Sequence, residues 1–250
     1  SSHTSLSLLE LGDVLKNILP PGVVNIITGK GSQSGQFILD HPGFSKLAFT
    51  GSTEVGLDVY KAASQRLIPA TLELGGKSAN IFFEDANWEQ ALDGAMLGIL
   101  FNQGQVCCAG SRIFVQDTIY DKFVAELSTL FNNVKVGLPW NDDTQLGSAS
   151  YEGQVRKVLE YVEIAKQEGA TIAAGGVRVT EDGLDKGCFV RPTLITNVTN
   201  DMRVAREEIF GPVAVVIKFH SEEEVIEMAN DSQYGLGGGV FTQNINRAIR

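Results

Sequence analysis

Two residues of this chain have the type and setting of a thiol catalyst. Cys107 lies in Phe101-Asn102-Gln103-Gly104-Gln105-Val106-Cys107-Cys108-Ala109-Gly110-Ser111-Arg112, a stretch rich in small and amide side chains after a helical pattern, so an exposed turn is expected. A cysteine attacks only as its thiolate, and it needs a base, a positive neighbour or a helix N-terminus to reach that state. Glu73, between Leu72 and Leu74 at the end of an apolar run, is the candidate base. A carboxylate losing hydration there would have its pKa raised toward the range useful for proton transfer. Plainer accounts compete with both. A cysteine is more often a small buried hydrophobe, which is how Cys108 and Cys188 read, and Glu73 could face solvent or pair with Lys77.

A third candidate is the stretch from Ala48 to Gly56, where a Gly and a Ser stand between a short apolar run and a helical one. Free backbone N–H groups and the positive end of the helix could meet a diphosphate there. Gly51-Ser52-Thr53 is also an ordinary helix start, with Glu54 favouring the dipole. Three histidines, His3, His41 and His220, carry no cysteine spacing suited to zinc, so no metal site is expected. A Cys-His protease would have to recruit His41 or His220 from surroundings without a motif.

These residues require a scaffold that alternates strands and helices. Apolar residues recur at helical spacing from Leu6 to Leu19, Pro20-Pro21-Gly22 stops them, and Val23-Val24-Asn25-Ile26-Ile27 reads as a strand. A second helical stretch ends near His41-Pro42-Gly43, and Lys46 to Phe49 reads as a strand running into the glycine turn. Beyond Gly75-Gly76, taken as a hinge, strands are expected at Asn80 to Phe83, Arg112 to Val115, Thr171 to Ala174, Phe189 to Ile195, Pro212 to Phe219 and Gly239 to Thr242. Helices are expected at Trp88 to Phe101, Tyr120 to Asn132, Tyr151 to Glu168 and Glu222 to Asn230. The pattern is α/β: part of a doubly wound parallel domain over residues 1–74, then a second α/β domain over 75–250.

With 250 residues and 43% hydrophobic content the chain is ordinary globular protein. A formal charge of -10 without a basic run argues against nucleic acid as a partner. Three cysteines, two of them adjacent, do not make a disulfide framework, and no stretch approaches the roughly 20 apolar residues that span a bilayer. No signal peptide opens the chain, and a reducing, cytoplasmic setting is expected. The sequence starts at Ser1 without Met and stops at Ala248-Ile249-Arg250 inside an amphipathic pattern, so an internal piece of a longer chain is expected.

Four blocks, in order and at matching spacing, resemble the aldehyde dehydrogenase superfamily: Phe49 to Gly56, Leu72-Glu73-Leu74-Gly75-Gly76-Lys77-Ser78, Gly104 to Arg112, and Glu207-Glu208-Ile209-Phe210-Gly211-Pro212. Asn230 and Tyr234-Gly235-Leu236 extend the likeness toward the end. The resemblance implies a Rossmann-like cofactor domain followed by an α/β thiol domain, and oxidation of an aldehyde to a carboxylic acid with NAD or NADP. It gives Cys107 the role of nucleophile and Glu73 that of the base that hydrolyses the thioester. Gly51 and Ser52 take the phosphate turn, Thr53, Glu54, Val55 and Gly56 open the cofactor helix, and Leu74 stands with the cofactor residues. Glu208 takes the nicotinamide ribose and Phe210 the place beside the nicotinamide.

The resemblance also implies a homodimer or homotetramer. The family's oxyanion-hole Asn and adenosine-ribose Lys come from segments preceding Ser1, and its exchanged strand follows Arg250, so this chain alone is expected to be an incomplete enzyme. Ser2 stands where NAD-preferring members carry a Glu, which implies tolerance of NADP. Two other readings stay open: a coenzyme-A-acylating relative, which commonly lacks the Glu, and a catalytically silent binding protein on the same scaffold.

Overall fold

The computed structural model describes residues 3–250, and the Ser2 expectation lies outside them. The chain divides into two compact units, Ser1–Leu74 and Gly75–Arg250.

The first unit contains α1 (Ser5–Leu15), a π-helical turn at Gly31–Gly35 continuing into α2 (Gln36–Asp40), β1 (Leu47–Thr50), α3 (Thr53–Gln65) and β2 (Ala70–Glu73). β1 and β2 pair in parallel with Leu47 opposite Ala70 and Thr50 opposite Glu73. A small core gathers Leu47 on β1 with Val59 and Ala63 on α3, edged by Ile38, Phe49 and Leu72. The strand expected at Val23 to Ile27 does not form. A strand exists through its ladder of inter-strand hydrogen bonds, and among the described residues this run has no pairing neighbour; Val23 and Ile27 lie exposed instead. The same holds of α1, which stops at Leu15 rather than Leu19 and buries no residue.

The second unit is built from β3 (Ala79–Phe82), α4 (Trp88–Leu100), β4 (Arg112–Gln116), α5 (Asp117–Asn133), α6 (Glu152–Gln167), β5 (Thr171–Ala174), β6 (Thr193–Thr196), α7 (Arg203–Arg206), β7 (Val213–Phe219), α8 (Glu222–Asn230), β8 (Gly238–Phe241) and α9 (Ile245–Ile249). Its six-stranded sheet runs β5-β6-β7-β4-β3-β8. Every pairing is parallel except β5 with β6, which is antiparallel. Strands buried on both faces read as continuous apolar runs, and β7 shows how the faces divide. Val213, Val215, Ile217 and Phe219 pack with α6 and α8 through Val155, Val158 and Val225. Ala214 and Val216 pack with α4 and α5 through Ala95, Ile99, Phe123 and Leu127.

Local signals close the helices. Asn87 caps α4 by accepting from the Gln90 N–H at 3.1 Å, and Ser221 and Glu224 form a reciprocal capping box on α8. The strand expected from Phe189 shortens to Thr193–Thr196. Pro192 has no N–H to give a ladder, and upstream only Val190 makes a bridge, to Arg178. Among the described residues no helix is long and apolar enough to cross a membrane.

Candidate active site

In the first unit the expected cofactor residues gather at the C-terminal ends of β1 and β2. Gly51 follows β1 directly, and its N–H donates to the Glu73 carbonyl at 3.0 Å, so the turn is fastened to the end of β2. Ser52 caps α3: its Oγ accepts from the Val55 N–H at 3.4 Å and its carbonyl from the Gly56 N–H at 2.9 Å. The first N–H groups of an α-helix have no partner within it, so Thr53 and Glu54 present theirs outward from the positive end. Gly56 is buried, and a Cβ on it would stand 2.5 Å from Leu74 Cδ2, so glycine is what lets α3 lie against Leu74. Glu73 is exposed rather than desolvated. The reason is its place on a two-stranded sheet with alternate residues facing outward. Lys77, its conceivable ion partner, is buried at 1% exposure.

In the second unit Gly75 and Gly76 come together with the Gly104 to Arg112 and Glu207 to Pro212 blocks around Cys107. The approach to the thiol is a left-handed turn, with φ of 49° at Asn102, 58° at Gln103 and 68° at Gly104. Non-glycine residues there cost roughly 1–2 kcal/mol each, and surrounding bonds hold them: Asn102 Nδ2 donates to the Gln105 carbonyl (3.1 Å), and Gln105 Oε1 accepts from the Ser150 N–H (3.0 Å). Gly104 packs on the backbone of Gly211 and Pro212; a Cβ would lie 2.2 Å from the Gly211 carbonyl oxygen. Cys107 follows in a turn, half-buried, its carbonyl against Gly76, where a Cβ would come within 2.2 Å. Among the described residues the Cys107 N–H donates to no protein acceptor. Cys108, expected to be a buried hydrophobe, is exposed in the turn. Cys188 is half-buried against the core, its Sγ 3.9 Å from Glu152 Oε2.

The Glu207-Glu208 pair separates into two roles. Glu207 is taken up by Arg203, at 2.9 and 3.0 Å, and by the Tyr161 hydroxyl at 2.6 Å; the Arg203 guanidinium holds its carboxyl below the usual range. Glu208, half-buried, accepts among the described residues the Gly76 N–H alone, at 3.2 Å through Oε1, and leaves Oε2 for another partner. A Cβ at Gly75 would sit 2.5 Å from that Oε2, so the glycine pair is the floor on which the carboxylate lies. Phe210 is held at φ 62° with its ring partly exposed. This is an outlier for a bulky residue, of the kind found where geometry serves a site.

The whole chain matches the family model of the aldehyde dehydrogenase family, over residues 1–250. The chain belongs to the aldehyde dehydrogenase family. Among solved structures it is similar to an aldehyde dehydrogenase from Bacillus cereus in its NAD+ complex, at 48% identity and TM-score 0.94, with 98% of this chain and 49% of that one covered. It is also similar to a betaine aldehyde dehydrogenase from Staphylococcus aureus in complex with NAD+, at 42% identity and TM-score 0.97 over 100% of this chain and 50% of that one. The chain thus spans about half the length of the solved structures it matches. Its mixed α/β fold is that of the family. Among the described residues, no group of three His, Cys, Asp or Glu side chains is placed to hold a metal ion.

Two positioning residues carry no such mark in the sequence. Gln154 on α6, 6% exposed, donates through Nε2 to the carbonyls of Ile209 (2.9 Å) and Phe210 (2.6 Å), fixing the strained segment beside Glu208. Nothing in a helical Gln marks such a task. Arg112, at the end of the Gly104 to Arg112 block, donates to the carbonyls of Lys77 (2.9 Å), Met228 (3.1 Å) and Ala229 (2.8 Å) and to Asn200 Oδ1 (3.1 Å). It therefore ties β4 to the segment after Gly76.

Gly104 offers a direct test of how tightly this arrangement is held. Gly104→Ala combines positive φ with a backbone clash and is expected to cost about 3 kcal/mol in urea unfolding. Gly169→Ala, at φ 87° with open space around it, carries the conformational cost alone, about 1 kcal/mol. Equal losses in the two variants would remove the Gly211 contact from the account.

Proposed function

We propose that the protein carrying this chain oxidises an aldehyde to a carboxylic acid with NAD or NADP. The observation that carries the reading is the Cys107 turn: a half-buried free thiol with its own N–H unengaged, fastened through Gly76 and Gly104 to the segments bearing Glu208 and Phe210. Four steps follow from the residues. The Cys107 thiolate adds to the aldehyde carbon, forming the C–S bond and an oxyanion. The Cys107 N–H donates to that oxyanion. Loss of hydride then leaves a thioester on Cys107, and Glu73 takes a proton from the water that hydrolyses it, releasing the acid and the thiol.

The cofactor fits the residues present. The Gly51-Ser52 turn and the open N–H groups of Thr53 and Glu54 suit a diphosphate, Val55, Gly56 and Leu74 give the helix its close seat, Glu208 Oε2 suits a ribose hydroxyl, and Phe210 offers an aromatic edge. NAD or NADP, when bound, supplies the hydride acceptor. In this reading residues 1–74 are part of a dinucleotide-binding domain and 75–250 the thiol domain. The resemblance adds a homodimer or homotetramer, and a reducing cytoplasmic setting suits the three free thiols.

Product analysis tests the proposal. With an aldehyde and NAD or NADP, the expected product is the free acid, unchanged in amount by coenzyme A. An acyl-coenzyme-A product would move the assignment to the acylating branch, and no aldehyde-dependent cofactor reduction in the protein carrying this chain would leave only the silent scaffold.

A further inference from the structure

A groove of about 760 Å³ opens on the second unit between α4, the turn that follows Cys107 and the glycine run leading into β8. Asn80 on β3 lines it with a side chain only 6% exposed. A Cβ on Gly239 would stand 2.7 Å from Asn80 Oδ1, one on Gly110 3.0 Å from Nδ2 and one on Gly98 3.2 Å from Nδ2. All three glycines line the same groove, so the amide is reached through a gap that a side chain at any of them would narrow. Among the described residues neither Oδ1 nor Nδ2 bonds to a protein group, and neither is sealed from the surface as Lys77 Nζ and Ser78 Oγ are. Buried polar groups are almost always partnered. An unpartnered carboxamide, nine-tenths covered and open only toward the groove, marks a place where a ligand's polar group completes it.

The chemistry of that polar group follows from the walls. A carboxamide offers an acceptor beside a donor, so its match brings a donor beside an acceptor, as a second amide does. The requirement is the same whichever way the Asn80 amide is turned. The match is also uncharged: no Asp, Glu, Lys, Arg or His side chain lines the groove, and an ion leaving water there would find no counter-charge. The rest of the wall is apolar. Leu97 on α4 and Phe101 just after it are 66% and 65% exposed, and Val106 lines the groove with them, a surface that a hydrocarbon chain covers favourably. Because Asn80 is so nearly covered, an amide at the end of a chain reaches it, whereas one inside a peptide carries substituents on both sides.

We propose that this groove binds a small neutral primary amide on an apolar chain, its carboxamide paired with that of Asn80 and its chain lying along Leu97 and Phe101. Cys107 does not line the groove and an amide offers no aldehyde carbon, so the site does not rest on the oxidation proposed above. Cys108, exposed and part of the groove wall, is its reporter.

The probe is hexanamide, with hexanoate and hexylamine as charged controls of the same length. In the protein carrying this chain, labelling of Cys108 by N-ethylmaleimide is followed at that residue by mass spectrometry. Hexanamide is expected to slow it, by about tenfold at roughly ten times its dissociation constant, and neither control is. Asn80→Leu, which keeps the bulk and removes the amide, is expected to abolish the protection. A Cys108 that resists labelling without any ligand would mean that protein already covers the groove, and overturns the site. So does labelling unslowed by hexanamide, slowed equally by hexanoate or hexylamine, or still slowed by hexanamide in Asn80→Leu. Should Asn80→Leu fail to fold, the three ligands compared on the wild type decide.

Discussion

Replacing Cys107 with alanine in the protein carrying this chain is expected to lower kcat/KM for aldehyde oxidation by about 10⁴-fold or more, the scale on which loss of a covalent nucleophile is felt. The route through the thioester needs a sulfur at this one point of the turn, held by the packing of its carbonyl on Gly76. Cofactor binding, which draws on Gly51, Ser52 and Glu208 in the proposal, is expected to survive, so fluorescence titration with NADH separates lost chemistry from lost fold. The adjacent thiol is the control. Cys108 is exposed, and a neighbour in the chain points elsewhere, so Cys108→Ala is expected to leave kcat/KM within about twofold, as for a surface substitution away from the site. Activity retained in Cys107→Ala, or lost in Cys108→Ala alone, would overturn the assignment of the nucleophile.

Glu73→Gln is expected to slow turnover by about 10³-fold while leaving the side chain's volume unchanged, within the range typical of a general base. The more telling readout is where the reaction stops. If Glu73 serves hydrolysis, mixing enzyme, aldehyde and NAD should give a burst of about one NADH per site followed by near arrest, the behaviour expected when an acyl-enzyme accumulates. Mass spectrometry of the arrested enzyme should then find the acyl group on Cys107. An undiminished steady state would remove Glu73 from the mechanism. A burst slowed as much as the steady state would move its work to deprotonating the thiol.

Much of the architecture is legible from local pattern. The apolar runs that became β4 and β7 and the helical spacing of α5, α6 and α8 each state their element locally. The failures have one cause. Val23 to Ile27 has the composition of a strand and Phe189 to Val190 extends one, but a strand is completed by a neighbour, and composition does not say whether that neighbour is present. The antiparallel pairing of β5 and β6 was equally hidden, because the alternation of elements does not encode strand direction at an edge.

The candidate site divides in the same way. Sequence by itself determined that Cys107, Glu73, the Gly51-Ser52 turn and Glu208 stand in blocks whose order and spacing are those of a family, because chemistry at a site demands particular side chains. Only the tertiary structure decided what holds them. It showed why Gly56, Gly76 and Gly104 admit no Cβ, that Glu207 is consumed by Arg203 and Tyr161 while Glu208 keeps an oxygen free, and that Gln154 grips the strained Phe210 segment. It also showed Lys77 as a buried amine without a hydrogen-bond partner among the described residues. The physical reason is range: a side chain's reactivity is a property of the residue and its near neighbours, whereas burial, close approach and unmet hydrogen bonds depend on segments that are distant in the chain, such as Gly76 and Glu208, which only folding brings together.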